Sequence, residues 1–120
     1  MPAKSQFVEY VTEQLQRLGA VSARAMFGGW GVYLDGRMFA LVAEDTLYFK
    51  ADDANRAEFT DLGLEPFRYE MKGALKEMSY FQPPSAALDD GEMLCAWARK
   101  GVEAAARAAQ KMGSRTRRRS

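Results

Sequence analysis

Three glycines and two aromatic residues crowd together in the stretch Phe27-Gly28-Gly29-Trp30-Gly31. Glycine-rich loops can bind phosphate, but a P-loop needs a lysine and a serine or threonine directly after its glycines. A dinucleotide-binding loop needs glycines that lead from a strand into the N-terminus of a helix. Here an apolar segment with strand periodicity follows instead. The cluster is therefore predicted to form a bend or bulge where a sheet begins, with glycine leaving room beside the large rings.

Sulfur and imidazole chemistry is limited by composition. The chain contains one cysteine, Cys95, and no histidine. This rules out a disulfide within the chain and counts against a Ser-His-Asp triad, a Cys-His nucleophile and most transition-metal sites. Cys95 lies near the start of a predicted helix, a position that can activate a thiol. Because Met93, Leu94 and Trp97 are its neighbours, we expect a buried, unreactive side chain.

Two groups of acidic residues could also do chemistry. Asp89, Asp90 and Glu92 could hold a weakly bound divalent cation, but they also suit the positive end of a helix dipole and the free amides of its first turn. We predict this second, electrostatic role for them.

An acid–base mechanism would use Glu70 or Glu77 together with Lys72 or Lys76. Such a mechanism needs both groups held across one cleft. The spacing in the sequence does not show that these groups converge, so we expect a protein that is not an enzyme and that has no cofactor or metal.

Apolar periodicity predicts the element order α-β-β-β-α-β-β-α. A first helix runs from about Phe7 to Leu18, with Ser5 as its N-cap and Gly19 as its end. The alternation that follows predicts a meander of three antiparallel strands, whose first turn is Asp35-Gly36. A short helix, a strand pair and a long helix complete the α+β fold. The five predicted strands cover residues 30–34, 38–43, 46–50, 67–71 and 77–81, and the long helix covers 85–112.

Charge divides the chain into a body and a tail. All 16 acidic residues lie at or before Glu103. Without the last ten residues the chain has 12 basic and 16 acidic side chains, so the body is unsuited to duplex DNA. We predict a domain over residues 1–112 and a disordered basic tail over 113–120. Weak, sequence-independent contacts with nucleic acid would fall on four arginines of this tail, Arg115, Arg117, Arg118 and Arg119.

Aromatic side chains recur along the predicted strands. They include Tyr33, Tyr48, Phe49, Tyr69, Tyr80 and Phe81. Rings on a sheet can stack single-stranded bases, but few basic residues lie between these rings, so core packing and cross-strand pairing explain most of them better. Five strands with rings on both faces leave some rings uncovered by three helices, and an exposed aromatic face would form a docking or dimerisation surface.

Several motifs, taken in order, resemble the N-terminal domain of the TfoX family, also called Sxy. The resemblance runs from about Phe7 to Ala108. It implies a two-layer fold with a five-stranded antiparallel sheet, similar to the secretion-chaperone-like folds. The family-motif residues, structural or docking in role, are Met26, Phe27, Gly28, Gly29, Gly31, Asp35, Gly36, Met78, Ser79 and Tyr80.

Three function classes follow from these observations. The resemblance and the missing catalytic groups favour a regulatory or adaptor domain that acts through protein contacts, as TfoX proteins regulate competence genes. Its partner would be an unidentified protein, such as part of the transcription machinery, or a second copy of the chain. A nucleic-acid accessory protein that uses the arginine tail is the alternative, and an enzyme is the third class. No signal peptide or membrane span is visible, so a cytoplasmic location is expected.

Overall fold

The computed structural model describes residues 6–26 and 28–119, together with the side chains of this part up to residue 111. The chain begins with helix α1 (Gln6–Leu15) and a 3-10 turn, which ends at Gly19 as predicted. A second 3-10 turn over Ser85–Asp89 precedes the last helix. The other elements are β1 (Ser22–Met26), β2 (Gly29–Leu34), β3 (Arg37–Ala43), β4 (Thr46–Lys50), α2 (Arg56–Thr60), β5 (Pro66–Met71), β6 (Ala74–Phe81) and α3 (Gly91–Arg119).

The strands form one antiparallel sheet in the order β1-β2-β3-β4-β6-β5. The sheet has six strands, so the prediction of five was wrong. The missing strand is β1, whose residues Ser-Ala-Arg-Ala-Met include no β-branched or aromatic side chain. This segment becomes a strand because it pairs with β2 at the edge of the sheet. The likeness to secretion-chaperone-like folds stays a prediction.

Tight turns connect the strands of the predicted meander. Asp35 and Gly36 both have positive φ angles, of 55° and 76°, as the two-residue hairpin signal predicts. Glu44 and Asp45, with φ angles of 51° and 56°, make the same kind of connection between β3 and β4 without a glycine. These short loops fix the register of the strands and therefore the face on which each side chain lies.

The helices pack on one face of the sheet and enclose the core. Phe59 of α2 lies with its ring centroid 5.4 Å from that of Phe81 and 5.2 Å from that of Trp97. Helix α3 approaches β3 and β4 closely at Gly101, where a Cβ atom would lie only 2.6 Å from the Phe39 carbonyl oxygen. The core contributed by the strands includes Val32, Phe39, Ala40, Val42, Leu47, Phe49 and Phe81.

Polar contacts fix the segment between β4 and α2 against α3. Asp52 accepts two hydrogen bonds from the Arg107 guanidinium, at 2.6 and 2.9 Å. This pairing holds the pKa of Asp52 below its ordinary value. The buried Asn55 side chain donates to the Lys100 carbonyl oxygen at 2.9 Å, and Asp52 also accepts from the amide of Ala54. The N-cap residue of α2 is Asn55, and it makes no side-chain capping hydrogen bond.

Helix α3 begins after Asp90, which accepts hydrogen bonds from the amides of Glu92 and Met93 at 3.1 Å. The predicted role of accepting hydrogen bonds from the free amides of the first turn is thereby confirmed for Asp90. The backbone of α3 is helical to Arg119, beyond the end at Met112 that the sequence predicted. The division into a domain over 1–112 and a tail over 113–120 stays a prediction.

Candidate docking surface

The second face of the sheet carries no described helix, and we call it the open face. It is formed by the strand residues that alternate with the core residues, because successive side chains of a strand point to opposite faces. The helices reach only the core face, where α1, α2 and α3 contribute to a single apolar cluster. The large and charged side chains of the open face are Arg24, Met26, Tyr33, Met38, Leu41, Tyr48, Lys50, Phe67, Tyr69, Lys76, Met78 and Tyr80.

Aromatic rings and cations lie side by side on the open face. The Arg24 guanidinium carbon lies 4.9 Å from the centre of the Tyr33 ring, and the Lys50 Nζ lies 5.3 Å from that of Tyr80. Burial, with a smaller effect of the nearby Tyr33, raises the pKa of Tyr80 to about 12. These contacts place aliphatic stems and rings together, so the surface is apolar although it carries charge.

A second group of aromatic rings lies on the same open face, at strands β4 and β5. The Tyr48 ring meets that of Phe67 edge-on at 5.2 Å, and the Phe67 ring stacks near that of Tyr69 at 6.2 Å. Since Tyr48 lies on β4 and Phe67 on β5, these contacts connect the β5–β6 hairpin to the rest of the open face.

An apolar cleft of about 310 Å³ opens on this face between the β1–β2 connection and the β5–β6 hairpin. Methionine and aromatic side chains form much of its walls. Gly28 and Gly29 also line the cleft, and they leave space there because they have no side chain. Glu70 is the one charged residue among those that line it. The lining residues are Met26, Gly28, Gly29, Trp30, Leu41, Val42, Ala43, Phe67, Tyr69, Glu70 and Met78.

The glycine cluster forms a bend, as the sequence predicted, and joins two antiparallel strands rather than a strand and a helix. Gly28 has a φ angle of 82°, and Gly29 comes next to the Val42 carbonyl group of β3. The positive φ angle of the cluster falls on Gly28 and not on Gly29 or Gly31. A ring does lie beside Gly31, since a Cβ atom there would be 3.0 Å from Tyr33 Cε1.

Part of the predicted family motif converges on the cleft. Met26, Gly28, Gly29 and Met78 line it, although Met78 is distant from the others in sequence. Gly31 lies beside the sulfur of Met26. Phe27 and the side chains of the tail arginines, Arg115, Arg117, Arg118 and Arg119, lie outside the described residues.

The remaining motif residues have structural contacts. The Ser79 hydroxyl donates to the Ala51 carbonyl oxygen at 2.8 Å and accepts from Arg56 at 2.9 Å. Asp35 and Gly36 form the β2–β3 turn, at the end of β2 that is remote from the cleft. Tyr80 belongs to the open face, beneath Lys50.

Of the four predicted acid–base candidates, only Glu70 is among the residues that line the cleft. Glu77 forms an ion pair with Arg68 at 3.3 Å, Lys72 lies in the β5–β6 turn with a φ angle of 53°, and Lys76 pairs in register with Tyr69. Within the described side chains of residues 6–26 and 28–111, no three acidic or cysteine groups come together as a metal site would require. Cys95 is buried, as expected.

Sequence analysis missed the cleft and most of its walls. Trp30, Leu41 and Phe67 were not predicted as site residues, because a strand residue reveals its face only once the pairing is known. The alternation of Phe67 with Tyr69 was a signal for this wall, since it predicts that both rings lie on one face.

Helices on one side of an antiparallel sheet, with a cleft on the other side, define an α+β domain of the helix-on-sheet class. A family model described as the TfoX N-terminal domain matches residues 13–105. The chain belongs to this family.

A relative named DNA transformation protein TfoX1, from Aliivibrio fischeri, is 34% identical to the chain over 67 residues. The match covers 56% of the chain and 32% of the relative. The chain therefore spans about a third of the length of this relative. In the part of the chain that the structure describes, no helix has both the length and the apolar character needed to cross a membrane.

Proposed function

We propose that this chain is a non-enzymatic regulatory or adaptor domain that promotes DNA transformation by binding a protein partner through its open face. One observation carries the proposal: large apolar side chains remain accessible around an apolar cleft. Met26 is 43% exposed and Met78 is 36% exposed, and both line the cleft. Burying such side chains against a partner is favourable, and the flexible thioether of methionine adapts to differently shaped surfaces.

Three further facts support this proposal. The name of the A. fischeri relative refers to DNA transformation, and the family match covers most of the chain. Of the acid–base candidates only Glu70 lines the cleft, while the other three take part in an ion pair, a turn and a strand register, which favours binding over catalysis. A cytoplasmic location, where transcription proteins would be available, belongs to the same proposal.

Transformation by added DNA in the host organism tests the proposal. The gene for this chain is deleted and then restored as wild type, as the double variant Met26→Asp with Met78→Asp, or as the control Met93→Asp. Met93 is 38% exposed on α3, so the control places one such charge on the helical side. We expect deletion and the double variant to lower both transformation and transcription of DNA-uptake genes, and the control to have no effect.

A correctly folded double variant, verified by its thermal melt, is required for this comparison. Transformation that is unchanged on deletion would overturn the role in DNA transformation. Normal transformation with the folded double variant would overturn the assignment of the open face. Light scattering of the purified chain identifies the related case in which the partner is a second copy.

The alternative is a nucleic-acid accessory function of the basic tail. Five of the last ten residues are basic, while the rest of the chain is acidic overall. Five charges allow a logarithmic salt slope no steeper than about −4.5, so weak binding without sequence preference is expected. Anisotropy with two unrelated oligonucleotides tests this, and loss of binding on truncation after Gln110 would assign it to the tail.

A further inference from the structure

The charged strand residues of the open face all have the same sign. They are Arg24 on β1, Lys50 on β4 and Lys76 on β6. Each has an aromatic or methionine side chain two residues away on the same strand and the same face. Within the described part of the chain, none of these three cations belongs to an ion pair. The sequence alone did not show this, because acidic residues stand near most cations along the chain.

Strand register separates these cations from the nearby acids. On the β5–β6 hairpin, Arg68 pairs with Glu77, while Phe67 pairs with Met78 and Tyr69 with Lys76. Arg68 and Glu77 therefore share the opposite side of the hairpin, where they form their ion pair. Glu70 follows Tyr69 on β5, so it lies on the same side of the hairpin as Arg68. It nevertheless contributes to the lining of the cleft.

Two of the cations flank the cleft from its two sides. Arg24 lies two residues before Met26 on the same face of β1, and Met26 lines the cleft. Lys76 lies directly opposite Tyr69, which lines the other wall. The cleft volume of about 310 Å³ is near the lower end of the range of about 300–1,000 Å³ for ligand pockets. It suits one or two bulky side chains rather than a large ligand.

We propose that the open face binds an acidic, apolar segment of a partner protein, in which a bulky apolar side chain enters the cleft and flanking carboxylates meet Arg24 and Lys76. This inference rests on the proposed function and specifies the chemistry of the partner. The body of the chain is acidic overall, with 12 basic and 16 acidic residues before residue 111. A cationic apolar face on an acidic body favours a partner whose charge is complementary to that face alone. The apolar cleft distinguishes such a segment from single-stranded nucleic acid, which would use stacking rings and more cations.

Fluorescence anisotropy with the full chain tests this proposal. The probe is a short fluorescein-labelled peptide with a central phenylalanine and two glutamates on each side. Comparison peptides carry lysines in place of the glutamates, or alanine in place of the phenylalanine. We expect each of these changes to weaken binding by about tenfold, because one removes the charge complementarity and the other empties the cleft.

Variants of the chain locate the binding. The double reversal Arg24→Glu with Lys76→Glu is expected to lower the affinity for the glutamate peptide by about tenfold or more and to reduce the salt dependence of binding. The control is the single reversal Arg99→Glu at an exposed residue on the helical side, and the affinity of this variant should stay within about twofold of the wild type. Thermal melts establish that the variants are folded.

Three outcomes would overturn the proposal. These are equal binding of the glutamate and lysine peptides, no binding of the glutamate peptide at millimolar concentration, and tighter binding of a single-stranded oligonucleotide that the double reversal abolishes. If the peptide fails while the Met26→Asp and Met78→Asp pair still lowers transformation, the open face remains a docking surface for a partner of other chemistry. The two proposals therefore fail separately.

Discussion

Alanine substitutions at the three clustered glycines should destabilise the domain to different degrees, because each glycine is required for a different reason. At Gly29 a Cβ atom would approach the Val42 carbonyl oxygen to less than 3.0 Å, with the Val42 carbonyl carbon at 3.2 Å and the Ala43 Cα at 3.4 Å. All three atoms belong to the backbone of the adjoining strand β3, so they cannot move away by rotation about a side-chain bond. Relief requires that the β1–β2 hairpin shift away from β3.

The other two glycines meet softer constraints. At Gly31 a Cβ atom would lie 2.8 Å from the sulfur of Met38 and 3.0 Å from that of Met26, and these flexible side chains can move. At Gly28 there is open space, but the φ angle of 82° is unfavourable for any residue with a Cβ atom. We therefore expect costs of about 3 kcal/mol for Gly29→Ala, about 1–2 kcal/mol for Gly28→Ala and about 0.5–1 kcal/mol for Gly31→Ala.

Differential scanning calorimetry measures this order. At about 4 °C per kcal/mol for a domain of this size, Gly29→Ala should lower the melting temperature by about 12 °C. Gly36→Ala is the matched control for Gly28→Ala, because Gly36 also has open space and a positive φ angle of 76°. A melting temperature of Gly29→Ala equal to that of the wild type, or above that of Gly31→Ala, would refute the contact with β3 as the reason for glycine.

Three further outcomes are expected. Gly101→Ala should lower stability by about 1–2 kcal/mol in chemical denaturation despite its better helix propensity, because a Cβ atom 2.6 Å from the Phe39 carbonyl oxygen pushes α3 off the sheet. Asp52→Asn should lower the free energy of unfolding by about 1 kcal/mol at neutral pH. Because the Asp52 pKa is lowered in the folded state, the contribution of this carboxylate to stability is present above the unfolded pKa and disappears as pH falls through the folded value. The melting temperatures of wild type and variant should therefore converge in acid. The Tyr80 pKa of about 12 should appear in an ultraviolet titration as a phenolate step that Tyr80→Phe removes, and the stability linked to it should decline as pH rises between the unfolded and folded values.

Local patterns in the sequence predicted the elements that carry strong signals. The Asp35-Gly36 turn and the strands on both sides of it were found because alternation and turn chemistry agree there. The strand β1 was missed because alanine, serine and arginine have no preference for strands, and only the hydrogen bonds with β2 make this segment extended. A sixth strand therefore depends on a partner that local sequence does not specify.

The cleft could be predicted only in part for the same reason. Its walls come from residues that are about forty positions apart, and they meet because β6 pairs with β4 and carries β5 beyond it. The resemblance selected the motif residues Met26 and Met78, but nothing in their spacing indicates that both line one cavity. The sign of the charges around that cavity also depends on strand register, because a slip of one residue would move each side chain to the opposite face of the sheet.

The way in which β6 joins the sheet brings the two halves of the motif to one cleft. Strand β6 pairs with β4 at only two register positions, Phe49 with Phe81 and Lys50 with Tyr80. At the same point the Ser79 hydroxyl donates to the Ala51 carbonyl oxygen, which adds a side-chain link to a narrow backbone junction. Beyond this junction the hairpin continues to Met78 and forms the wall that faces Gly29 across the cleft. Residues 78–80 thus set the position of one wall, and the glycines set the other, so a change in either segment alters the same opening.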